Sequence, residues 1–295
     1  MTQSDPKSVR IFAPAKINLT LHVVGQRSDG YHLLDSLVAF ADIGDIVDLT
    51  VGHREFTVSG PEAQHLTSKD DNLVVQVAKL FPDLPDLSIA LTKNLPVASG
   101  VGGGSADAAA TFRGLVAMQA GQAVPKVDQL LELGADIPMC VSCAAARVGG
   151  IGQEITTLPK MPSLHAVLVN PRAAVSTPKV FQSLPVRKNP PMPVDLPSFA
   201  GASEFADWLL AQRNDLQATA IALEPSIETV IQALESQPGC LMARMSGSGA
   251  TCFGVFKNAD ASLAAAKEIG LMHPEWWVQA THLGTQSGSA QPQIS

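Results

Sequence analysis

The chain opens with alternating apolar and polar residues, a pattern that is typical of a strand. Between positions 9 and 24, aliphatic residues stand at every second position from Ile17 to Val23. A period of two places alternate side chains on opposite faces of a strand. The pattern therefore predicts a half-buried strand with one polar face, which carries Lys16, Asn18, Thr20 and His22.

Hydrophobic spacing along the rest of the chain predicts strands and helices in both halves. We expect further extended segments at 45–51, 88–92, 166–169, 241–245 and 251–256. Helical spacing predicts helices at 72–81, from about 105 to a glycine cap at Gly121, and at 127–133, 203–211 and 228–236. This mixture indicates an α+β protein.

The pattern also suggests how the chain is divided. A strongly apolar predicted strand follows Pro159 and begins a new series of strands and helices. We therefore expect an N-terminal domain at 1–160 and a C-terminal domain at 161–284. Residues 285–295 contain few apolar side chains. Chain ends of this kind are often poorly ordered, and we expect a flexible tail there.

Composition and charge narrow the class of protein. The 295 residues are 46% hydrophobic and 16% charged, which is enough apolar material for a folded core. The net charge is −7 and no basic cluster stands out, which disfavours a nucleic-acid partner. No run approaches the ~18 apolar residues of a membrane span, and the first residues do not resemble a signal peptide. We expect a cytoplasmic protein without a nucleic-acid or membrane partner.

The run from 96 to 106 is the most prominent candidate site, with four glycines between positions 100 and 104 just before a predicted helix. Glycine lets the backbone adopt positive φ and lets an anion approach the amides, and the helix start adds unpaired N–H groups. The run lacks the Gly-Lys-Ser/Thr ending of a Walker A loop and the spacing of the dinucleotide fingerprint. A phosphate cradle and a tightly packed turn both remain open on this run alone.

Three motifs, taken in order, carry a family resemblance. Residues 13–21, 96–109 and 245–251 are similar to the first, second and third motifs of the GHMP kinases, which phosphorylate galactose, homoserine, mevalonate and related alcohols. The resemblance implies ATP and Mg²⁺, an N-terminal domain like domain 2 of ribosomal protein S5, and a ferredoxin-like C-terminal domain. It places ATP on Pro96, Val97, Ala98, Ser99, Gly100, Val101, Gly102, Gly103, Gly104, Ser105 and Ala106.

Within this superfamily, other segments resemble the 4-diphosphocytidyl-2-C-methyl-D-erythritol kinases of non-mevalonate isoprenoid synthesis. They are 16–18, 27–34, 134–138 and 213–216. The implied substrate is methylerythritol linked to cytidine diphosphate, phosphorylated on its 2-hydroxyl. The departures are small: Ala106 stands where a second serine is common, and Ser246 and Ala250 replace a commoner threonine and serine.

The resemblance assigns Lys16 and Asp136 as the catalytic pair. Alcohol phosphorylation needs a positioned hydroxyl, charge stabilisation and usually a proton acceptor. Asp136 precedes Pro138 and suits a helix cap, and a solvated surface lysine is the ordinary interpretation of Lys16. Spacing alone leaves these readings open, whereas the resemblance favours Asp136 as the acceptor and Lys16 as its partner.

The resemblance also implies where the substrate binds. It places Tyr31 and His32 on the cytosine, with Phe181 on the opposite face of that base. The remaining implied contacts are Asn18, Gly247, Ser248 and Gly249. A buried tyrosine and a core phenylalanine are the ordinary alternatives for Tyr31 and Phe181.

The cysteine spacing raises one further possibility. Cys140 and Cys143 have the spacing of half a zinc site or a redox pair, but no histidine pair completes a set. We expect small buried thiols instead.

Two alternatives to the substrate assignment remain. One is a GHMP kinase for another alcohol, which residues 29–32 disfavour because they suit a nucleobase. The other is a non-catalytic nucleotide-binding module, which would need neither Lys16 nor Asp136.

Overall fold

The computed structural model describes residues 8–66, 72–119 and 124–295. In these ranges the strands are β1 (Ser8–Asn18), β2 (His22–Gln26), β3 (His32–Val51), β4 (Glu55–Ser59), β5 (Leu87–Thr92), β6 (Ala146–Gly150), β7 (Glu154–Thr157), β8 (Leu164–Asn170), β9 (Cys240–Met245), β10 (Cys252–Phe256), β11 (Trp277–Gly284) and β12 (Gln293–Ile294). The helices are α1 (Leu73–Ala78), α2 (Gly103–Met118), α3 (Val127–Leu133), α4 (Ile137–Ser142), α5 (Thr177–Gln182), α6 (Ala202–Leu210), α7 (Gln217–Leu223), α8 (Ser226–Glu235) and α9 (Ala259–Met272).

The α+β prediction is confirmed, and every strand and helix named in the sequence analysis has a counterpart. The predicted helix at 105 begins two residues earlier, at Gly103. Its predicted cap, Gly121, lies outside the described residues. Phe181, expected on one face of the base, lies on the short helix α5.

One sheet connects both halves of the described chain. Its main path runs β12-β1-β3-β11-β8-β10-β9. Off this path, β2, β5 and β6 pair with β3, β4 pairs with β5, and β7 pairs with β6. All the described pairings are antiparallel except β4 with β5. Because β11 pairs with β3 as well as β8, no break in the sheet separates the halves. The boundary near 160 stays a prediction.

The centre of this sheet is β3, of which the pattern predicted only the second half. Residues 37–41 read Leu-Val-Ala-Phe-Ala and are fully buried on both faces. A strand covered on both sides has no alternation of apolar and polar residues, so its period of two is lost. One face packs against α2, and the other lies in a second core cluster together with β8 and α6.

The C-terminal segment makes contacts with the rest of the described chain. Residues 285–295 run back along α4 to β1. Gln286 N donates to Cys143 O at 2.8 Å, Ala290 is 1% exposed, and β12 pairs with the start of β1. These contacts are backbone hydrogen bonds and one small buried side chain, and neither depends on a high apolar content. The flexibility of this segment stays a prediction.

Candidate functional site

A cavity of about 990 Å³ lies where the ends of β1, β9 and α2 meet, within the size range of small-molecule sites. We call residues 96–104 the first glycine loop and residues 246–250 the second glycine loop. Every predicted site residue lines the cavity except Val101, Ala106 and Gly249. Val101 and Ala106 are buried in the core instead, so the alanine at 106 does not remove a hydroxyl from the wall.

Lys16 and Asp136 form an ion pair in this cavity. Lys16 Nζ lies 2.8 Å from Asp136 Oδ2, and it also donates to Asn18 Oδ1 at 2.8 Å. The lysine side chain is 5% exposed and the carboxylate 40% exposed, so the pair has a buried and an open side. Lys16 is therefore not a solvated surface residue.

Asp136 takes the N-cap position of α4 without capping it. Its side chain makes no hydrogen bond to the first turn of α4, and Pro138 has no N–H to offer. The carboxylate contacts Lys16 instead, which leaves its second oxygen available to a ligand. The geometry favours the ion-pair interpretation over the capping one.

The first glycine loop ends at the start of α2. Gly102 is the N-cap residue, with φ 63°, and a Cβ there would lie 3.0 Å from Lys16 Cε. Gly100 has φ 78°, and a Cβ there would lie 2.5 Å from Ser246 O. Both positions need glycine for conformation and for space. The unpaired first-turn amides and the positive end of the dipole of α2 make this end a site for an anion.

The second glycine loop connects β9 to β10 and is hydrogen-bonded to the first glycine loop. Ser246 Oγ donates to Gly100 O at 3.0 Å and accepts from Asn18 N at 3.1 Å. Thr251 N donates to Ser99 O at 3.0 Å. The serine that replaces a commoner threonine keeps the hydroxyl that joins all three motifs.

The predicted base-binding residues line the opposite end of the cavity, with one difference in pairing. Phe181 stacks on His32, with ring centroids 4.9 Å apart and planes at 28°, while Tyr31 is 60% exposed. Burial, and then the Arg187 charge, lowers the pKa of His32. Its buried Nε2 has no hydrogen-bond partner among the described residues. A neutral ring with a free nitrogen is suited to the edge of a base.

Comparisons with known proteins identify the family. Residues 72–151 match the family model "GHMP kinases N terminal domain", and residues 200–271 match "GHMP kinases C terminal". The chain belongs to the GHMP kinase family. It is 53% identical to the 4-diphosphocytidyl-2-C-methyl-D-erythritol kinase of Roseobacter denitrificans over the whole of both chains. It is 52% identical to the enzyme of the same name from Ruegeria pomeroyi, over 92% of this chain and 97% of that one.

Solved structures agree with the family assignment. The crystal structure of a 4-(cytidine 5'-diphospho)-2C-methyl-D-erythritol kinase superposes with a TM-score of 0.75 at 29% identity, covering 93% of this chain and 99% of that one. A homoserine kinase from Cytophaga hutchinsonii gives a TM-score of 0.64 at 17% identity, over 100% of this chain and 99% of that one. The second likeness shows the fold alone.

This GHMP kinase holds a buried charge cluster beneath the first glycine loop, which sequence reasoning missed. Lys93 Nζ contacts Asp45 Oδ2 and lies 2.8 Å from Asp107 Oδ2. Burial, and then the Asp45 carboxylate, raises the pKa of Asp107 well above its ordinary value, against the opposing effect of Lys93. A Cβ on Gly103 would lie 3.4 Å from Lys93 Nζ, so the cluster directly supports the start of α2. The signal in the sequence was a lone lysine just before the run.

Cys140 and Cys143 are buried thiols, as expected, and of the other two cysteines Cys252 is buried and Cys240 partly buried. Cys140, Cys143 and Cys252 are buried and unpaired with one another, and burial raises the pKa of each. Among the described residues, no cluster of His, Cys, Asp and Glu forms a metal site. None of the described helices is long and apolar enough to cross a membrane.

Proposed function

We propose that this GHMP kinase transfers the γ-phosphoryl group of ATP to the 2-hydroxyl of 4-diphosphocytidyl-2-C-methyl-D-erythritol, forming the 2-phosphate and ADP. The observation that carries the proposal is the Lys16–Asp136 pair, which lies beside Gly102 of the first glycine loop in the cavity that Tyr31, His32 and Phe181 also line. A hydroxyl group bound there would have a proton acceptor on one side and a phosphate cradle on the other. The names of its relatives at about half identity support the same substrate.

The chemistry follows from the contacts of these residues. Asp136 accepts the proton of the 2-hydroxyl while that oxygen bonds to the γ-phosphorus, and the bond to the bridging oxygen of ADP breaks with its electron pair. Lys16 Nζ lies beside the carboxylate and stabilises negative charge on the attacking oxygen. Asn18 holds the lysine from the other side. The first glycine loop and the start of α2 bind the transferring phosphates.

The proposal includes Mg²⁺, which would bind the phosphates of ATP. Mg²⁺ commonly binds substrate phosphates and water with only one or two protein oxygens, so a kinase needs no full protein cage. The Ser105 hydroxyl, on the first turn of α2 and in the cavity wall, fits as one such donor. The ion would neutralise phosphate charge during transfer.

The decisive test measures ADP release with the cytidyl substrate, homoserine and mevalonate. We expect turnover with the cytidyl substrate and a loss of kcat of about 10²- to 10⁴-fold in Asp136→Asn, with the KM for ATP unchanged. The control is Asp128→Asn, an exposed aspartate in the first turn of α3. No turnover with any alcohol would refute the kinase assignment, and turnover with mevalonate alone would refute the substrate.

The base pocket has its own test. Tyr31→Ala should raise the KM for the cytidyl substrate more than the KM for ATP. Tyr31 directly precedes β3, whereas Lys16, which lies against Gly102 of the first glycine loop, pairs with Phe40 farther along that strand. The opposite pattern would refute its role. The cytoplasmic location expected from the sequence stays a prediction.

A further inference from the structure

The turn at 213–216 joins α6 to α7, and its polar side chains have no role in the chemistry above. Asn214 is 7% exposed, and its side chain makes three hydrogen bonds. Its Nδ2 donates to Met245 O and to Gly247 O, each at 2.8 Å, and its Oδ1 accepts from Leu216 N at 3.0 Å. An amide N–H faces the oxygen, which fixes which way round the carboxamide lies.

Both acceptors of the Asn214 amide belong to the backbone around the second glycine loop. In a trans peptide the C=O and the following N–H point in opposite directions. Holding Gly247 O towards Asn214 therefore turns the Ser248 N–H away from it. Gly247 and Ser248 line the cavity, and no acceptor among the described residues takes the Ser248 amide hydrogen.

The turn itself is fastened to the sheet. Asp215 Oδ2 accepts from Val23 N at 2.7 Å, and Leu21 exchanges backbone hydrogen bonds with Arg213 and Asp215 at 2.9 and 2.8 Å. Arg213 Nε donates to the other Asp215 oxygen at 2.6 Å. The strand held by these bonds, β2, leads into the hairpin that carries Tyr31 and His32. The turn therefore links the second glycine loop, through Asn214, to β2 and the hairpin of the base pocket, through Asp215.

The position of Ser248 indicates which ligand its amide meets. Ser248 Oγ lies 2.7 Å from Thr177 Oγ1, on the helix that also carries Phe181. Ser248 therefore lies between the base-binding end and the Lys16–Asp136 pair. In a cytidine diphosphate-linked alcohol, the diphosphate occupies this stretch.

We propose that Asn214 is a positioning residue, which orients the Ser248 amide so that it donates to a diphosphate oxygen of the cytidyl substrate. The proposal rests on the substrate proposed above. A structural alternative exists, because the Asn214 oxygen also accepts a hydrogen bond from Leu216 N in the turn before α7. The two roles use different atoms of one side chain, so substitutions separate them.

Direct binding of cytidine 5'-diphosphate and of a non-hydrolysable ATP analogue, measured by calorimetry, tests the proposal without relying on turnover. Asn214→Asp keeps an acceptor for Leu216 N and loses both donors, and Asn214→Leu loses the donors without adding charge. A hydrogen bond to a charged group contributes about 1.5–3 kcal/mol, so both variants should bind cytidine diphosphate about ten- to a hundredfold more weakly. Affinity for the ATP analogue should change less than twofold.

Two controls accompany these variants. Asn189→Asp removes a donor to another backbone oxygen, Val23 O, outside the second glycine loop and should leave both affinities unchanged. Asn214→Gln keeps both donor hydrogens on a longer side chain and should restore part of the affinity for cytidine diphosphate. Thermal melting identifies any variant that fails to fold, and Asn214→Asp then carries the test because it retains the acceptor for Leu216 N.

The outcomes are distinct. The positioning role would be overturned if the affinities for both ligands fell equally, or if neither affinity fell. Weakening in Asn214→Asp alone would assign the effect to added charge and overturn it as well. If the wild-type chain binds cytidine diphosphate and shows this pattern but phosphorylates no alcohol, the proposed function fails and the role of Asn214 stands.

Discussion

The two glycine loops meet at Gly100 and Ser246, but they are held in place by different forces. The first glycine loop precedes a 16-residue helix and rests on Lys93, which lies between two buried carboxylates. The second connects two strands and is held from behind by the neutral Asn214 amide. The first can attract an anion by the dipole of α2, whereas the second can only orient single N–H groups. The first glycine loop is therefore supported by charge, and the second by hydrogen bonds that fix the direction of its backbone groups.

The largest effect should come from removing the charge that supports the first glycine loop. Lys93→Met leaves Asp45 and Asp107, which are 0% and 2% exposed, without their counter-charge. Removing one partner of a buried ion pair typically costs about 3–5 kcal/mol. Denaturant unfolding should show that loss, against about 1–3 kcal/mol for Asn214→Leu in the second loop.

The control for this comparison is Lys267→Met on the exposed side of α9. It should change the free energy of unfolding by less than about 0.5 kcal/mol. If Lys93→Met were no more costly than Asn214→Leu, charge would not distinguish the two loops.

Sequence reasoning found the loops but not what supports them. The glycine runs, Lys16 and Asp136 belong to short motifs, and the family resemblance assigned Lys16 and Asp136 roles that spacing alone had left open. Asp45, Lys93 and Asp107 are far apart in the chain and meet only when β3, β5 and α2 pack together. No spacing rule connects them.

The miss at β3 also has a physical reason. The first half of β3 is buried on both faces, which removes the alternation that marks a strand. The contacts of segment 285–295 are of the same long-range kind: Gln286 N and Ser287 Oγ donate to carbonyl oxygens at the end of α4, and Thr285 Oγ1 accepts from Ala145 N. Composition does not report such bonds. The sequence pattern thus predicted the fold class, and the family resemblance named residues that line the cavity, while long-range contacts determined the rest.

The second prediction concerns the contact between the loops. Gly100→Ala would place a Cβ 2.5 Å from Ser246 O in a backbone with φ 78°. Left-handed strain and a clash with backbone should together cost about 2–3 kcal/mol and separate the loops. We expect KM to rise for ATP and for the cytidyl substrate together, measured by steady-state kinetics alongside thermal unfolding.

Gly288→Ala is the control, because a Cβ there meets no atom within 4 Å. It should leave stability and both KM values unchanged. A rise in only one KM for Gly100→Ala would mean that the loops act independently of each other.

The third prediction uses pH to distinguish the charged cluster of Asp45, Lys93 and Asp107 from the neutral amide of Asn214. Burial, with the Asp45 carboxylate, raises the pKa of Asp107, so the folded chain keeps a proton that the unfolded chain releases above about its ordinary pKa of 3.8. The folded state then binds more protons, and stability falls as pH rises from there through the folded pKa. Asp107→Asn cannot titrate, so its destabilisation relative to wild type should shrink as pH rises from 4 to 8.

Denaturant unfolding across this pH range measures the effect. Lys93 does not interfere: burial alone would lower its pKa, but Asp107 and Asp45 raise it above 10.5, so its contribution is lost only at higher pH. Asn214→Asp serves as the comparison and should show no such convergence with wild type. Parallel curves for wild type and Asp107→Asn would contradict the raised pKa of Asp107.

The smallest effect on stability should come from Gly104→Ala. This substitution should stabilise the protein, whereas Lys93→Met and Gly100→Ala should destabilise it. Gly104 lies in the first turn of α2, and a Cβ there would lie 3.8 Å from Leu73 Cδ1, an ordinary contact. Alanine is favoured over glycine in a helix by about 0.5–1 kcal/mol, so the Tm of Gly104→Ala should rise by about 1–3 °C. The added methyl group would stand in the cavity wall where phosphate approaches the amides, so the KM for ATP should also rise.

Gly270→Ala in α9 provides the matched control, because it has the same helical gain with open space around its Cβ. It should raise the Tm without changing either KM. A stabilised Gly104→Ala with a higher KM for ATP and an unchanged KM for the cytidyl substrate would show that this glycine serves the ligand rather than the fold. An unchanged KM for ATP would remove the first-turn amides of α2 from the phosphate site, and the difference between the two loops would then lie in their support alone.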